Sequence, residues 1–208
     1  MKHQPRRMPI FIVRHGETDH NAARQVQVPA SPLSAAGRAQ AQRLAQRLAG
    51  CGVTRILSSD LARAVQTAQC LGERLGLPVE QDATLRERDF GDLRGTPYAT
   101  LTVDPFAVDY APPNGETWTQ FHARVELAWL RIAAAAQETS GALVVVTHGL
   151  VCRALAKRHL ALPPGQAAPE HWSNTGLTEI EGAPPWTVRV LHCTAHLERG
   201  EARAGGAV

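Results

Sequence analysis

Lysine is nearly missing from this chain. Lys2 and Lys157 are the only two, so arginine carries almost all of the positive charge. The net excess is small, a formal +3 at pH 7, too little by itself to argue for nucleic acid or an anionic membrane as a partner. Cysteine is scarce as well. Cys51, Cys70, Cys152 and Cys193 stand far apart with no C-x-x-C pair, which argues against a disulfide framework or a thiolate zinc site and fits a reducing compartment. No apolar run approaches the ~20 residues of a membrane span. The stretch behind the basic residues Lys2, Arg6 and Arg7 is too short for a secretory signal. The expected location is cytoplasmic. Internal repeats and low-complexity tracts are absent.

What is present is ordinary for a globular chain: 208 residues, 44% hydrophobic and 20% charged. That length suits one domain with a modest inserted cap. Residues 1–8 read as a flexible lead-in, 9–197 as the domain and 198–208 as a flexible tail. Within the domain, strands and helices alternate. Ile10 to Arg14 reads as a short buried strand. Between Ser34 and Ala49, Ala41, Leu44, Ala45 and Leu48 recur at the helical period. "VTRILSS" is a second strand, and Asp60 is expected to cap a helix running to Leu75, with Gly76 as its stop. "ALVVVTHG" is a third strand, followed by a helix that ends before Pro163. "TGLTEIE" and "WTVRVLHC" read as two more strands. Uninterrupted apolar strands alternating with helices predict an α/β fold with a mostly parallel sheet covered on both faces. Residues 86–117 have no sustained period, and their prolines and glycines lie near the ends, so they read as a cap or lid over the site.

In such a sheet, ligands bind outside the carboxyl ends of the strands. Two strands end alike here, "FIVRHG" and "VVVTHG", each delivering a histidine and then a glycine that permits a sharp turn or close backbone approach. "ILSSDLARA" places Arg63 in the first turn of the next helix, leaning back toward the same edge. Arg14, His15, Arg63 and His148 can therefore converge on one small anion. A phosphoryl group suits them, because guanidinium forks match its oxygens and helix N-termini add amide donors. A neutral imidazole is also a competent nucleophile. His15 is the better candidate, since the cations beside it disfavour its protonated form. His148 would serve the anion best as an imidazolium, a state a bound dianion favours.

"RHGETDHN", "SSDLARAVQTA", "LRERDFGDLRG", "PPNGETW" and "VVTHG", in that order, resemble the histidine phosphatase superfamily, the phosphoglycerate mutase-like proteins. The resemblance runs from about Phe11 to about Ile180 and implies a three-layer α/β/α sandwich needing no cofactor and no metal. It places the phosphorylated histidine at His15 and the acid/base carboxylate at Glu87. Phosphate-pocket partners fall on Arg14, Arg63 and His148, with Asn21 as a further contact. Glu116 becomes a candidate substrate contact.

Plainer readings stand beside these. Arg63 alone could be a surface helix arginine, Asn21 a cap, Glu87 a salt-bridged loop residue with Asp89 and Asp92 as rivals, and Asn174 a turn residue. Trp118 and Phe121 could simply pack the cap. Where many relatives carry Q-G-x-x-D-x-P-L, this chain has Gln27 and Ala30 at the glycine and aspartate positions. His20 replaces a common tryptophan. The loop bordering the pocket therefore differs, and substrate assignments do not carry over with the family.

The expected function is a metal-independent phosphomonoesterase acting on a small phosphorylated metabolite through a phosphohistidine. Neither nucleic acid nor membrane is expected as a partner, and a homodimer is an open alternative. A bisphosphoglycerate-dependent mutase is the rival enzyme, disfavoured by the short chain. A non-catalytic phospho-ligand sensor is the rival from another class, disfavoured because binding requires neither a nucleophile nor a proton donor. A His/Asp metallohydrolase lacks its ligand spacing.

Overall fold

A computed structural model describes residues 8–197. The lead-in (apart from Met8) and the tail lie outside the described residues. The elements run β1 (Ile10–Arg14), α1 (Asp19–Ala22), α2 (Ala35–Leu48), β2 (Val53–Ser58), α3 (Ala62–Leu75), β3 (Val79–Gln81), α4 (Trp118–Glu138), β4 (Ala142–Thr147), α5 (Gly149–Arg158), β5 (Leu177–Ile180) and β6 (Val188–Cys193). The sheet order is β3-β2-β4-β1-β5-β6. β3, β2, β4 and β1 pair in parallel, while β5 and β6 are antiparallel to their neighbours.

Alternation along the inner strands sorts the core into two layers. Ile10, Ile12, Leu57, Leu143 and Val145 face one side, packing with Phe121, Val125 and Ile132 of α4 and Val151 and Leu155 of α5. Phe11, Val13, Ile56, Val144 and Val146 face the other, against Leu44 and Leu48 of α2 and Ala68 and Leu71 of α3. Each face is buried by its own helix pair, which gives the three-layer α/β/α arrangement and explains why these strands are apolar on consecutive residues.

Three details differ from the sequence reading. Helix α3 begins one residue later than expected. Its N-cap is Leu61, with no side-chain cap bond, because the Asp60 carboxylate is taken instead by Arg86. Strand β3 has no counterpart among the expected elements. Neither does α4, although its buried residues Phe121, Val125, Ala128, Trp129, Ile132 and Ala135 follow the helical period and Thr117 with Gln120 forms a capping box at its start. Residues 86–117 carry only short 3-10 turns at Gly91–Leu93 and Tyr98–Thr100 and a single bridge from Gln25 to Pro97.

Candidate active site

Register brings the strand ends level. Arg14 pairs with Thr147 across β1 and β4, and Ser58 with Val146 across β2 and β4. The residues that follow, His15, Ser59 and His148, therefore emerge side by side. The chain leaves β1 toward the β3 edge on one face and leaves β4 toward the β6 edge on the other. A crevice at the carboxyl ends results.

His15 is 2% exposed, Arg14 2%, Arg63 3% and His148 0%. The two imidazole rings lie 5.1 Å apart by centroid. His15 Nδ1 sits 2.7 Å from the Gly16 carbonyl oxygen, and an oxygen acceptor there requires the proton on Nδ1. Nε2 is then the lone-pair nitrogen, and it accepts from Arg63 Nε at 3.2 Å. Burial, with the Arg63 and Arg14 charges added, holds the His15 pKa well below its usual 6.5. That shift disfavours the protonated ring, the direction the neighbouring cations led the sequence reading to expect. Burial followed by the Arg63 charge does the same to His148. His148 Nε2 lies 2.8 Å from Ser59 Oγ, while its buried Nδ1 has no hydrogen-bond partner among the described residues.

Gly16 serves close approach: a Cβ there would come within 2.5 Å of the Gly37 carbonyl oxygen. Gly37 is tighter still, its added Cβ falling 2.0 Å from the Glu17 oxygen. The first turn of α2 thus rides directly on the loop that carries His15. Asn174 Nδ2 donates to the His15 carbonyl at 3.0 Å and to Asn21 Oδ1 at 3.3 Å, bracing the same loop from the other side.

The cavity has a volume of about 190 Å³, and its lining includes Arg14, His15, Asn21, Arg63, Glu87, Asp89 and Tyr98. Of the predicted set, Arg14, His15, Asn21, Arg63 and Glu87 come together in its lining, and His148, outside the lining, has its ring beside that of His15. Arg14 donates to the Trp172 carbonyl and Arg63 Nη1 to that of Val28 at 3.2 Å, so both forks are fixed in aim. Asn21 is both cap and wall. Its Oδ1 closes the capping box at Thr18, which leaves its amide hydrogens for a ligand.

Glu87 is half-buried. Its Oε2 accepts from the Leu150 amide at 3.1 Å and its Oε1 from the Arg88 amide at 3.1 Å. The carboxyl therefore occupies the N-terminus of α5, where the sequence reading placed an amide donor for phosphate. Burial raises its pKa, against the pull of those two amides and of Arg63 and Arg14. Neighbouring Asp89 goes the other way: partial burial pushes it up, but Arg94 and the Gly91 amide hold it below its usual value. Two nearby carboxyls driven apart in this manner mark Glu87 as the acid candidate. Asp92 is engaged by Asn114 and does not line the cavity.

Glu116 is not among the cavity-lining residues. Its carboxylate pairs with Arg124 and accepts the Asp89 amide at 3.0 Å. Trp118 stacks under the buried Arg88, 4.0 Å from guanidinium carbon to ring centre. Sequence reasoning missed Tyr98, whose pKa is pushed up to about 12 by burial and the Glu87 charge beside it. Only its aromatic character within residues 86–117 could have flagged it. Gln27, at a departure from the family pattern, lines the cavity and accepts from Thr18 Oγ1 at 2.9 Å. Among the described residues, no cluster of three or more His, Cys, Asp or Glu is placed to hold a metal ion. Among the same residues, no helix is long and apolar enough to cross a membrane.

The sequence profile of the histidine phosphatase superfamily (branch 1) matches residues 10–192. A probable phosphoglycerate mutase GpmB from Yersinia enterocolitica is 32% identical, over 92% of this chain and 95% of that one. Among solved structures, the mycobacterial glucosyl-3-phosphoglycerate phosphatase determined with VO3 is similar at a TM-score of 0.75, with 31% identity over 89% of this chain and 99% of that one. A putative alpha-ribazole-5'-P phosphatase from Escherichia coli also reaches 0.75, with 28% identity over 90% and 97%. With its profile spanning most of the sequence and its relatives aligned almost end to end, this chain belongs to the histidine phosphatase superfamily and is an enzyme of that family.

Proposed function

We propose that the protein is a metal-independent phosphomonoesterase that hydrolyses a small phosphorylated metabolite through a phosphohistidine at His15. The observation that carries this is the neutral His15 ring, its Nδ1 proton bound to the Gly16 carbonyl and its Nε2 lone pair turned to Arg63. A phosphoryl group entering the cavity takes over the guanidinium donors and frees that lone pair. The Nε2–P bond forms as the ester P–O bond breaks, and the Glu87 proton passes to the departing alkoxide. The ionised Glu87 then removes a proton from water. The water oxygen bonds to phosphorus, the P–N bond breaks, and inorganic phosphate leaves. Arg14, Arg63 and the Asn21 amide supply donors to the equatorial oxygens, and His148 joins them once it takes up a proton.

Hydrolysis rather than mutase chemistry is supported by Glu87 lining the cavity beside His15, the space a water would enter once the alcohol has left. A mutase must instead exclude water while its bisphosphorylated intermediate reorients. The phosphatase names of the two structural relatives agree with this, whereas the Yersinia relative carries the name of the rival activity.

The test is turnover of an aryl phosphate and of a panel of phosphorylated metabolites, with and without 2,3-bisphosphoglycerate. Hydrolysis should persist in EDTA and disappear in His15→Ala. Quenching wild type with labelled substrate should trap acid-labile, base-stable phosphate on position 15. Activity lost to EDTA would refute metal independence, and isomerisation dependent on 2,3-bisphosphoglycerate would establish the mutase. Ligand binding without turnover would establish the sensor.

A further inference from the structure

The geometry points to Arg124 as a positioning residue for the Glu87 carboxyl. The inference rests on the acid/base assignment of Glu87 made above. Arg124 lies on the second turn of α4, and every N–H of its guanidinium is engaged. Nε donates to Glu116 Oε1 at 2.8 Å, and Nη2 to Glu116 Oε2 at 2.7 Å and to the Glu87 carbonyl at 3.2 Å. Nη1 donates to the Thr84 carbonyl at 2.9 Å and to that of Arg86 at 2.6 Å. Five donors meet five acceptors, the full capacity of the fork.

The segment so gripped has no ladder of its own. Residues 86–90 belong to no helix or strand, so their carbonyls need outside partners. The pair extends its hold through Glu116, whose Oε2 takes the Asp89 amide at 3.0 Å and whose own amide donates to the Asp89 carbonyl at 2.8 Å. Glu87 is therefore held twice. Its carboxyl is fixed by α5 through Leu150, and its backbone is fixed by α4 through Arg124. Both side chains of the Arg124–Glu116 pair are about one-fifth exposed, at 19% and 20%, so the clamp sits behind the cavity rather than in its lining. Lysine cannot replace it, because three donors on one atom do not span carbonyls and a carboxylate lying in different directions.

Arg124→Lys and Glu116→Gln should act on proton transfer and leave phosphate capture alone. A misplacement of about 1 Å costs on the order of 100-fold in rate, so kcat/KM on alkyl phosphates, which excludes the later water step, should fall about 10- to 100-fold, with a loss under about threefold on aryl phosphates. Competitive inhibition by inorganic phosphate should be unchanged. In a Glu87→Gln background the same substitutions should change kcat/KM on alkyl phosphates by less than about twofold, the non-additivity expected of residues acting as one unit. Circular dichroism and melting curves accompany each variant, and Glu116→Gln decides by the same criteria if Arg124→Lys does not fold. Equal losses on both substrates, or a loss that adds fully to that of Glu87→Gln, would show that Arg124 only supports the fold and would overturn the inference. If Glu87→Gln alone lost both substrates equally, the acid assignment would fail and this inference with it. If Glu87→Gln discriminated and Arg124→Lys did not, this inference alone would fail.

Discussion

Replacing Glu87 by glutamine removes the titrating proton and little else in volume. General acid catalysis contributes about 10²–10⁴ in rate, which is about 2.7–5.4 kcal/mol of barrier. That loss should fall on substrates whose leaving group needs a proton. The structure adds a second effect that must be measured separately. Each Glu87 oxygen accepts one backbone amide, Leu150 on one and Arg88 on the other, whereas glutamine has a single acceptor oxygen. One amide is left facing an NH2 group, at a cost of about 1–3 kcal/mol in stability. The assay is therefore kcat/KM, which reports phosphoryl transfer to His15 and not the later hydrolysis common to all esters, across a series of phosphate esters running from nitrophenols to simple alcohols, with melting curves alongside. The alcohols should lose most of their rate and the nitrophenols little. Because burial raises the Glu87 pKa above its usual 4.5, the carboxyl keeps its proton to a higher pH than a free glutamate. The wild-type kcat/KM for alkyl phosphates should then decline on the alkaline side of that raised value, and the variant should lack the decline. Equal loss across the series, or an alkaline limb that survives the substitution, would move the acid role elsewhere.

Two further predictions concern the fold. His15 and His148 are held well below 6.5, and His122, His159, His192 and His196 are also shifted down, in each case first by burial. Below about pH 6.5 the unfolded chain binds protons that the native chain refuses, so stability must fall as pH falls through that window. Thermal midpoints should drop between about pH 7.5 and 5.5, before most carboxylates titrate. A flat or rising profile would contradict the burial of these rings. Gly37→Ala should destabilise by about 1–3 kcal/mol, the range for forced overpacking, since its Cβ has backbone rather than side chain to displace. A denaturation midpoint unchanged by Gly37→Ala would show that the loop under α2 can yield.

The lining of the site was partly legible because its signals are local. An apolar run ending in Arg14, His15 and Gly16 reads as a strand end wherever it occurs, and the same pattern at His148 implies the same edge of the same sheet. Glu87 and Asn21 were reachable only by resemblance, since nothing in their immediate neighbours distinguishes a proton donor from a salt-bridged loop residue. Glu116 shows the limit of that route: it lies in the expected motif, yet its carboxylate faces Arg124 and the Asp89 amide. Helix α4 carries a readable period and a capping box, so its absence from the expected elements reflects an unused pattern and not a lack of signal.

The chain by itself determined which residues end its strands and which faces its helices bury, because side-chain period and turn chemistry act over a few neighbours. Only the tertiary structure decided the state of those residues. The neutral form of the His15 ring depends on burial and on Arg63 48 positions away, the aim of the Glu87 carboxyl on the start of a helix 63 positions away, and the footing of Glu87 on an arginine 37 positions away. Contacts at such separations follow from strand order and register, which bring distant segments to one sheet edge and have no imprint in any local stretch of sequence.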